Sequence, residues 1–262
     1  MSNAPPVLSE RRGDIQLITL NRPHVANAMD SRGSLMVDRF VREAEADPSI
    51  GAIILTGAGD RAFCSGMDLK EAARIGAGRG LVPGAGFCGV TERVITKPLI
   101  GAINGAAVAG GFEIALACDM LVASSNSVFG LPEVRRGMVA FTGGVQRLSR
   151  QLPRQIAMEM VIVGNLFPAK RMEALGVVNR TVPRHQLLQE TLRLTETMLE
   201  GDWDTIAFAK DLFNNAMEEP LADAIARGHA DADQLMRSEA SKEGIAAYAE
   251  HRDAEFRKGK SE

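Results

Sequence analysis

The stretch AVAGGFEIALACD, residues 107–119, decides how this chain is read. It sets Gly110 and Gly111 at the head of an apolar helical run and places Glu113 within that helix's first turn. Glycines there let the backbone approach a ligand closely, and the unpaired N–H groups of a helix start point outward with the positive end of its dipole. That is a place for negative charge. A carboxylate buried in an apolar run is costly unless something in the site uses it, so Glu113 calls for a chemical role.

Working outward, LIGAING from Leu99 reads as a buried strand feeding this helix, and Met120–Ala123 as a further short apolar run. The same order occurs earlier. AIILTGAG from Ala52 reads as a buried strand, and FCSGMDLKE from Phe63 as a small-residue turn containing Gly66, with Asp68 capping a helix that begins over Asp68–Ala73. Ile15–Leu20 alternates as a strand until Asn21-Arg22-Pro23 ends it. Asp30 or Ser31 caps a helix through about Ala46, with Met36, Phe40 and Ala44 on one face. GAGRGLVPGAGFCG from Gly76 holds too many glycines for regular structure and is expected as a flexible surface loop. After about Asp202 strands cease and helical patterning runs to the end. The expectation is an α/β protein with a core over residues 1–200 and a helical segment over 201–262 that serves as a lid or subunit contact.

Composition narrows the field. A chain of 262 residues, 45% hydrophobic and 24% charged, supports one sizeable core, and a net charge of −3 with scattered basic residues offers no field for nucleic acid. No apolar stretch approaches the roughly 20 residues of a membrane span, and residues 1–10 lack the pattern of a secretory signal, so a cytoplasmic protein is expected. Cys64, Cys88 and Cys118 lack CxxC spacing and are expected reduced; His24, His185, His229 and His251 lie far apart, and no metal site is expected.

Two strand-to-helix turns can each contribute one N–H to an oxyanion hole, which would suit a thioester carbonyl, although glycine turns also simply join strands to helices. A second carboxylate, Glu133 in FGLPEVRRG, follows Pro132, which restricts the backbone before it. Paired carboxylates at one reacting centre divide general base and general acid roles; either glutamate alone is also compatible with a helix-start charge or a surface ion pair.

Five segments in order, ITLNRPHVANAMD, GDRAFCSGMDLKE, KPLIGAINGAAVAGGFEIALACDMLVAS, FGLPEVRRGM and GGVQRLSR, resemble the enoyl-CoA hydratase/isomerase (crotonase) family from about Ile15 to Pro183. The resemblance implies a spiral of repeated ββα units with a helical C-terminal segment, assembled as homotrimers or dimers of trimers. It implies an oxyanion hole from the N–H groups of Met67 and Gly110, with Glu113 deprotonating water and Glu133 exchanging the proton at the α carbon. The implied reaction is hydration of a 2-enoyl-CoA, with coenzyme A as part of the substrate and no other cofactor.

By the same resemblance the loop His24–Met29, with His24, Ala26 and Ala28, contacts CoA or is an ordinary strand-to-helix connection, and Ala62, Ser65, Gly66, Leu69, Gly111 and Pro132 line the substrate site. Lys70 meets CoA phosphates or is a solvated helix lysine, and Asp68 is assigned mainly to capping. Phe256 and Lys258 in EFRKGK reach the CoA of a neighbouring subunit or belong to a solvated tail. The chain departs from the family's Pro-Gly-Ala at Ala140-Phe141-Thr142, where the Phe141 ring reshapes the acyl pocket or points into the core. Val145 and LPRQIAMEM resemble carnitinyl-CoA dehydratase-like members, the enzymatic alternative. A non-catalytic acyl-CoA binder is the alternative from another class.

Overall fold

The computed structural model describes residues 4–76 and 80–256. The chain divides into two compact units, Met1–Thr195 and Glu196–Glu262. In the first, strands β1 (Val7–Arg12) and β2 (Ile15–Leu20) lead through a 3₁₀ turn, Pro23–Val25, into helix α1 (Ser31–Ala46). One ββα unit follows, β3 (Ala52–Gly57), β4 (Ala62–Cys64) and α2 (Leu69–Ile75). After a hairpin, β5 (Leu81–Val82) and β6 (Gly86–Phe87), the next comprises β7 (Leu99–Ile103), β8 (Ala106–Val108) and α3 (Gly110–Ala117). The last pair, β9 (Met120–Ser124) and β10 (Val128–Gly130), runs into a 3₁₀ turn, Pro132–Arg136, before α4 (Gly144–Gln151). Beyond it come α5 (Arg154–Met158), a π-helical turn at Glu159–Val163, β11 (Phe167–Pro168), α6 (Ala169–Ala174), β12 (Arg180–Val182) and α7 (Leu187–Leu199).

Each of the pairs β3–β4, β7–β8 and β9–β10 sends its first strand to one sheet and its second to another. The six-stranded sheet has the order β1-β2-β3-β7-β9-β12, antiparallel between β1 and β2 and parallel elsewhere. The four-stranded sheet runs β11-β10-β8-β4, antiparallel between β10 and β11. This alternation is the expected spiral of ββα units. The central strands are apolar on both faces, as Ala52–Leu55 and Leu99–Ile103 show, because buried parallel strands have no solvated side. Phe112 of α3 meets Phe129 of β10 edge to face, with ring centroids 5.6 Å apart, and so fixes that helix on the smaller sheet.

In the second unit, α8 (Trp203–Ala216), α9 (Leu221–Leu235) and α10 (Glu239–Glu250) form the helical segment. Asp202 and Ser238 cap α8 and α10 through their side chains. Among the described residues no helix is long and apolar enough to cross a membrane.

Three expectations are corrected, and one strand comes in addition. Strand β1, VLSERR, carries no strand signal in the sequence, because every side chain beyond Val7 is exposed and all of these but Leu8 are polar or charged, as at a sheet edge. Strands end at Val182, not near Asp202. In α1, which Asp30 caps, the buried face is Val37, Val41 and Ala44 with Gly33, Ser34 and Asp38, while Met36 and Phe40 are only partly buried. The glycine-rich segment, of which residues 77–79 lie outside the described residues, contains the β5–β6 hairpin and buries Ala85, Phe87 and Cys88.

Side-chain clamps hold that segment in place. Ser34 donates its hydroxyl to Gly80 O and accepts from the Cys88 N–H, and Thr91 Oγ1 accepts from the Phe87 N–H. Asp38, buried in α1, pairs with Arg42 at 2.8 Å and with Arg93. A buried carboxylate with two cations leaves both of them uncompensated when removed. We expect Asp38→Ala to cost about 2 kcal/mol, discounted because the arginines reach solvent, and to expose residues 84–93 to limited proteolysis. Urea unfolding gives the first and peptide mapping the second.

Candidate active site

Strands β4, β8 and β10 lie side by side and parallel, so their C-terminal ends deliver three turns to one place. These are the turns before α2, before α3 and before the 3₁₀ turn that carries Glu133. The Ala109 N–H donates to Gly130 O at 3.0 Å, joining the second turn to the third. The first and second touch so closely that a Cβ on Gly111 would sit 2.0 Å from Cys64 O. At Gly66, with φ +90°, a Cβ would sit 3.0 Å from the Gly110 nitrogen. No other residue fits either position without moving backbone.

Met67 pairs with Met29 through an isolated parallel bridge, in which the Met29 N–H donates to Gly66 O and the Asp68 N–H to Met29 O, each at 2.9 Å. The Met67 N–H therefore faces away from that partner. Neither it nor the Gly110 N–H has an acceptor among the described residues. Two free backbone donors on touching turns are the arrangement an oxyanion requires.

The turn before α3 carries strain. Ala109 stands at φ 54° and ψ −133°, a conformation open essentially to glycine, and it orients the chain so that Gly110 opens the helix. Strain of ~1–3 kcal/mol exceeds glycine's ~0.5–1 kcal/mol entropic penalty. Ala109→Gly should therefore stabilise the fold by about 1 kcal/mol, read as a raised urea midpoint.

The two carboxylates meet different surroundings. Glu113 is 4% exposed. Its Oε1 accepts from the Gly144 N–H at 2.9 Å and its Oε2 from the Thr142 hydroxyl at 2.6 Å. Glu133 is 9% exposed, and its Oε2 is buried with no hydrogen-bond partner. Burial above all, and the Glu113 carboxylate nearby, push the Glu133 carboxyl from 4.5 up to about 7, against the pull of its own backbone N–H and of Arg136.

The unfolded chain ionises this group near its ordinary value while the folded chain holds the proton to about pH 7. Its contribution to stability is thus fully present below the ordinary value and is lost as pH rises through the folded one. Glu133→Gln cannot ionise. The variant should gain on the order of 2 kcal/mol over the parent between about pH 4 and pH 8, discounted from the full shift because the group reaches solvent. Denaturant midpoints at the two pH values check it.

Most of the other expected residues converge on these turns. Ser65 is half-buried and its N–H donates to Ala26 O at 3.1 Å, and Ala28 is buried in the same loop, whereas His24 is exposed. Pro132 opens the turn that presents Glu133. Asp68 caps α2 by accepting from the Lys70 and Glu71 N–H groups, and Leu69 and Lys70 are exposed on its first turn. Ala62 is the first residue of the strand that leads into the first turn. It is buried within β4, and its carbonyl accepts from the Asn27 and Asn104 side chains, so it braces the loop from beneath.

Phe141 is 56% exposed, which excludes the core position. It stands with Val134, Met138 and Val139 in a run of exposed apolar side chains that follows Glu133. Phe256 lies with its ring beside Gly244 of α10, and Lys258 falls outside the described residues. Among the described residues no group of three or more His, Cys, Asp or Glu side chains is placed to hold a metal ion.

Several residues that sequence reasoning passed over complete the site. Arg22 donates to Ala28 O and pairs with Asp68 at 3.0 Å and Asp30 at 3.2 Å, tying the His24–Met29 loop to the turn that carries Met67. Asn27, fully buried, accepts from the Arg22 N–H and donates to Ala58 O and Ala62 O. Arg147 of α4 donates to Thr91 O at 2.7 Å and feels the Glu113 charge. The signal for Arg22 and Asn27 was present in NRPHVAN, but a polar run after a strand reads as loop until its partners are known.

Free backbone donors and two carboxylates of unlike environment are groups that can carry out acid–base chemistry on a carbonyl compound. The chain belongs to the enoyl-CoA hydratase/isomerase family, whose model matches residues 10–259. It is 35% identical over 253 residues to a probable enoyl-CoA hydratase of Rhizobium meliloti, covering 96% of this chain and 97% of the relative. It is 37% identical over 251 residues to a carnitinyl-CoA dehydratase of Escherichia coli, covering 93% and 95%. The crystal structure of an enoyl-CoA hydratase from Mycobacterium marinum matches with a TM-score of 0.91 at 38% identity, over 96% of this chain and 98% of that one.

Proposed function

We propose that this protein is an enoyl-CoA hydratase that adds water reversibly to a 2-enoyl-CoA to give the 3-hydroxyacyl-CoA. The observation that carries this reading is the unlike pair of glutamates: Glu113 with a donor on each oxygen, and Glu133 with its carboxyl pushed up to about 7 and an unpartnered oxygen. The first suits a base and the second a neutral acid near pH 7.

In the proposed reaction the Met67 and Gly110 N–H groups hold the thioester oxygen. Glu113 takes a proton from water as the water oxygen bonds to C3, and the alkene electrons move toward the thioester oxygen as an enolate. Glu133 then gives its proton to C2, and the enolate electrons form the new C–H bond. Turnover leaves Glu113 protonated and Glu133 ionised, so one proton passes between them or through solvent before the next cycle. The loop His24–Met29, held by Arg22, takes the CoA end of the substrate, and no further cofactor enters the scheme. Exposed apolar side chains on the C-terminal helices, Phe213, Leu221 and Tyr248, support the proposal of a homotrimer or a dimer of trimers.

The likeness to carnitinyl-CoA dehydratases at 37% identity favours a second reading, dehydration of a β-hydroxy acyl-CoA bearing a quaternary ammonium group. Loss of enoyl-thioester absorbance on mixing the protein with crotonyl-, hexenoyl-, decenoyl- and crotonobetainyl-CoA separates the two. We expect turnover of a straight-chain substrate, falling by a hundredfold to ten-thousandfold, or about 3–5 kcal/mol, in both Glu113→Gln and Glu133→Gln. Preference for crotonobetainyl-CoA would establish the second reading. Tight CoA-ester binding without turnover of any substrate would establish a binding protein.

A further inference from the structure

The segment following the Glu133 turn contains a polar contact that the division of labour between the glutamates does not by itself require. Thr142 is 2% exposed, and its hydroxyl hydrogen is committed to Glu113 Oε2 at 2.6 Å, the length of a charge-assisted O–H···O bond. Two residues on, the Gly144 N–H reaches Glu113 Oε1 at 2.9 Å from the start of α4. Both carboxylate oxygens are thus engaged by donors from a single segment, 142–144.

The fit around these donors is close. A Cβ on Gly144 would lie 2.9 Å from Glu113 Cγ and 3.2 Å from the Ala140 Cβ, so the segment is pressed against the glutamate side chain. The Gly144 bond alone leaves the carboxylate free to rotate about its terminal torsion, which is soft in glutamate. A second donor on the other oxygen removes that freedom. The residue types bear this out: a buried hydroxyl beside a buried carboxylate is tolerated because each satisfies the other.

We propose that Thr142 is a positioning residue for the water-activating step, fixing the carboxylate of Glu113 through its hydroxyl. The proposal rests on the hydratase reading. Thr142 touches no reacting atom; it acts through Glu113, by holding the base in one orientation toward the water it deprotonates. Misorientation of a catalytic group lowers turnover more than it lowers substrate affinity, because the contacts that bind CoA lie elsewhere.

Steady-state hydration of crotonyl-CoA by the full chain, with Thr142→Val and Thr142→Ser, tests it. Valine keeps the shape and removes the hydroxyl. We expect its kcat to fall at least tenfold with KM within twofold of the parent, and serine, which keeps the hydroxyl, to recover most of that loss. If the valine variant does not fold, Thr142→Ala replaces it with the same expectation. A valine or alanine variant with kcat within twofold of an active parent overturns the proposal, as does a serine variant as impaired as valine, since that would trace the effect to packing of the methyl group. A parent without turnover of any enoyl-CoA overturns the hydratase reading and this inference with it, so the two failures are distinguishable.

Discussion

The parallel pairing of three short strands, β4, β8 and β10, is the constraint on which the candidate site depends. Each strand comes from a different strand pair, and each ends in a turn that carries one element of the proposed chemistry: Met67, Gly110 and Glu133. Parallel neighbours end at the same edge of a sheet, so the three turns are brought together by topology before any side chain contributes. The backbone then closes the remaining distance. Gly111 lies against Cys64 O and Gly66 against the Gly110 nitrogen at separations that a Cβ would not allow. Side-chain volume, which elsewhere in the core adds stability, is excluded at this contact because the two turns lie backbone to backbone.

The same geometry explains why two glutamates of one site behave differently. Glu113 is on α3 and meets the start of α4, where an N–H and a hydroxyl are aimed at its oxygens. Glu133 is on a 3₁₀ turn between β10 and a run of exposed apolar side chains, and one of its oxygens finds no donor. Desolvation without compensation favours the neutral acid, and a nearby negative charge reinforces it. The unlike environments follow from where each turn ends, and they supply the proton that the proposed reaction needs at C2.

The sequence made some of this legible and concealed the rest for physical reasons. Buried parallel strands announce themselves as unbroken apolar runs, so AIILTG and LIGAI are readable, as is the cap Asp68, while the cap of α1 is legible only as Asp30 or Ser31. Glu113 stands out because a carboxylate is rare at the head of an apolar helix and Glu133 as a second carboxylate behind a proline, while the roles proposed for Met67 and Gly110 come from family resemblance, since a backbone N–H leaves no trace in residue identity. VLSERR did not read as a strand because its edge position leaves its polar side chains in solvent. The glycine-rich segment read as a surface loop because its order comes from residues distant in sequence, Ser34 and Asp38 of α1. Thr142 was visible only as a departure from a family pattern, and its bond to Glu113 spans 29 positions that no local pattern connects.

Arg22 extends the argument from the donors to the rest of the substrate. Its guanidinium joins Ala28 of the His24–Met29 loop to Asp68 of the Met67 turn, and the Met29–Met67 bridge and the Ser65–Ala26 bond join the same two segments. Loop and turn are therefore one braced body, with the buried Asn27, left-handed at φ 53°, donating its side-chain amide to Ala58 O and Ala62 O. If CoA is held by that loop, as proposed, contacts made far from the reacting carbons bear directly on the position of one oxyanion donor. Binding energy at a remote group accelerates a reaction when the structure between it and the reacting centre is stiff enough to convert attachment into alignment. Here that stiffness resides in an ion-paired arginine and a two-residue β-bridge, which in the proposed reaction would tie the geometry at the thioester to recognition of the carrier end of the substrate.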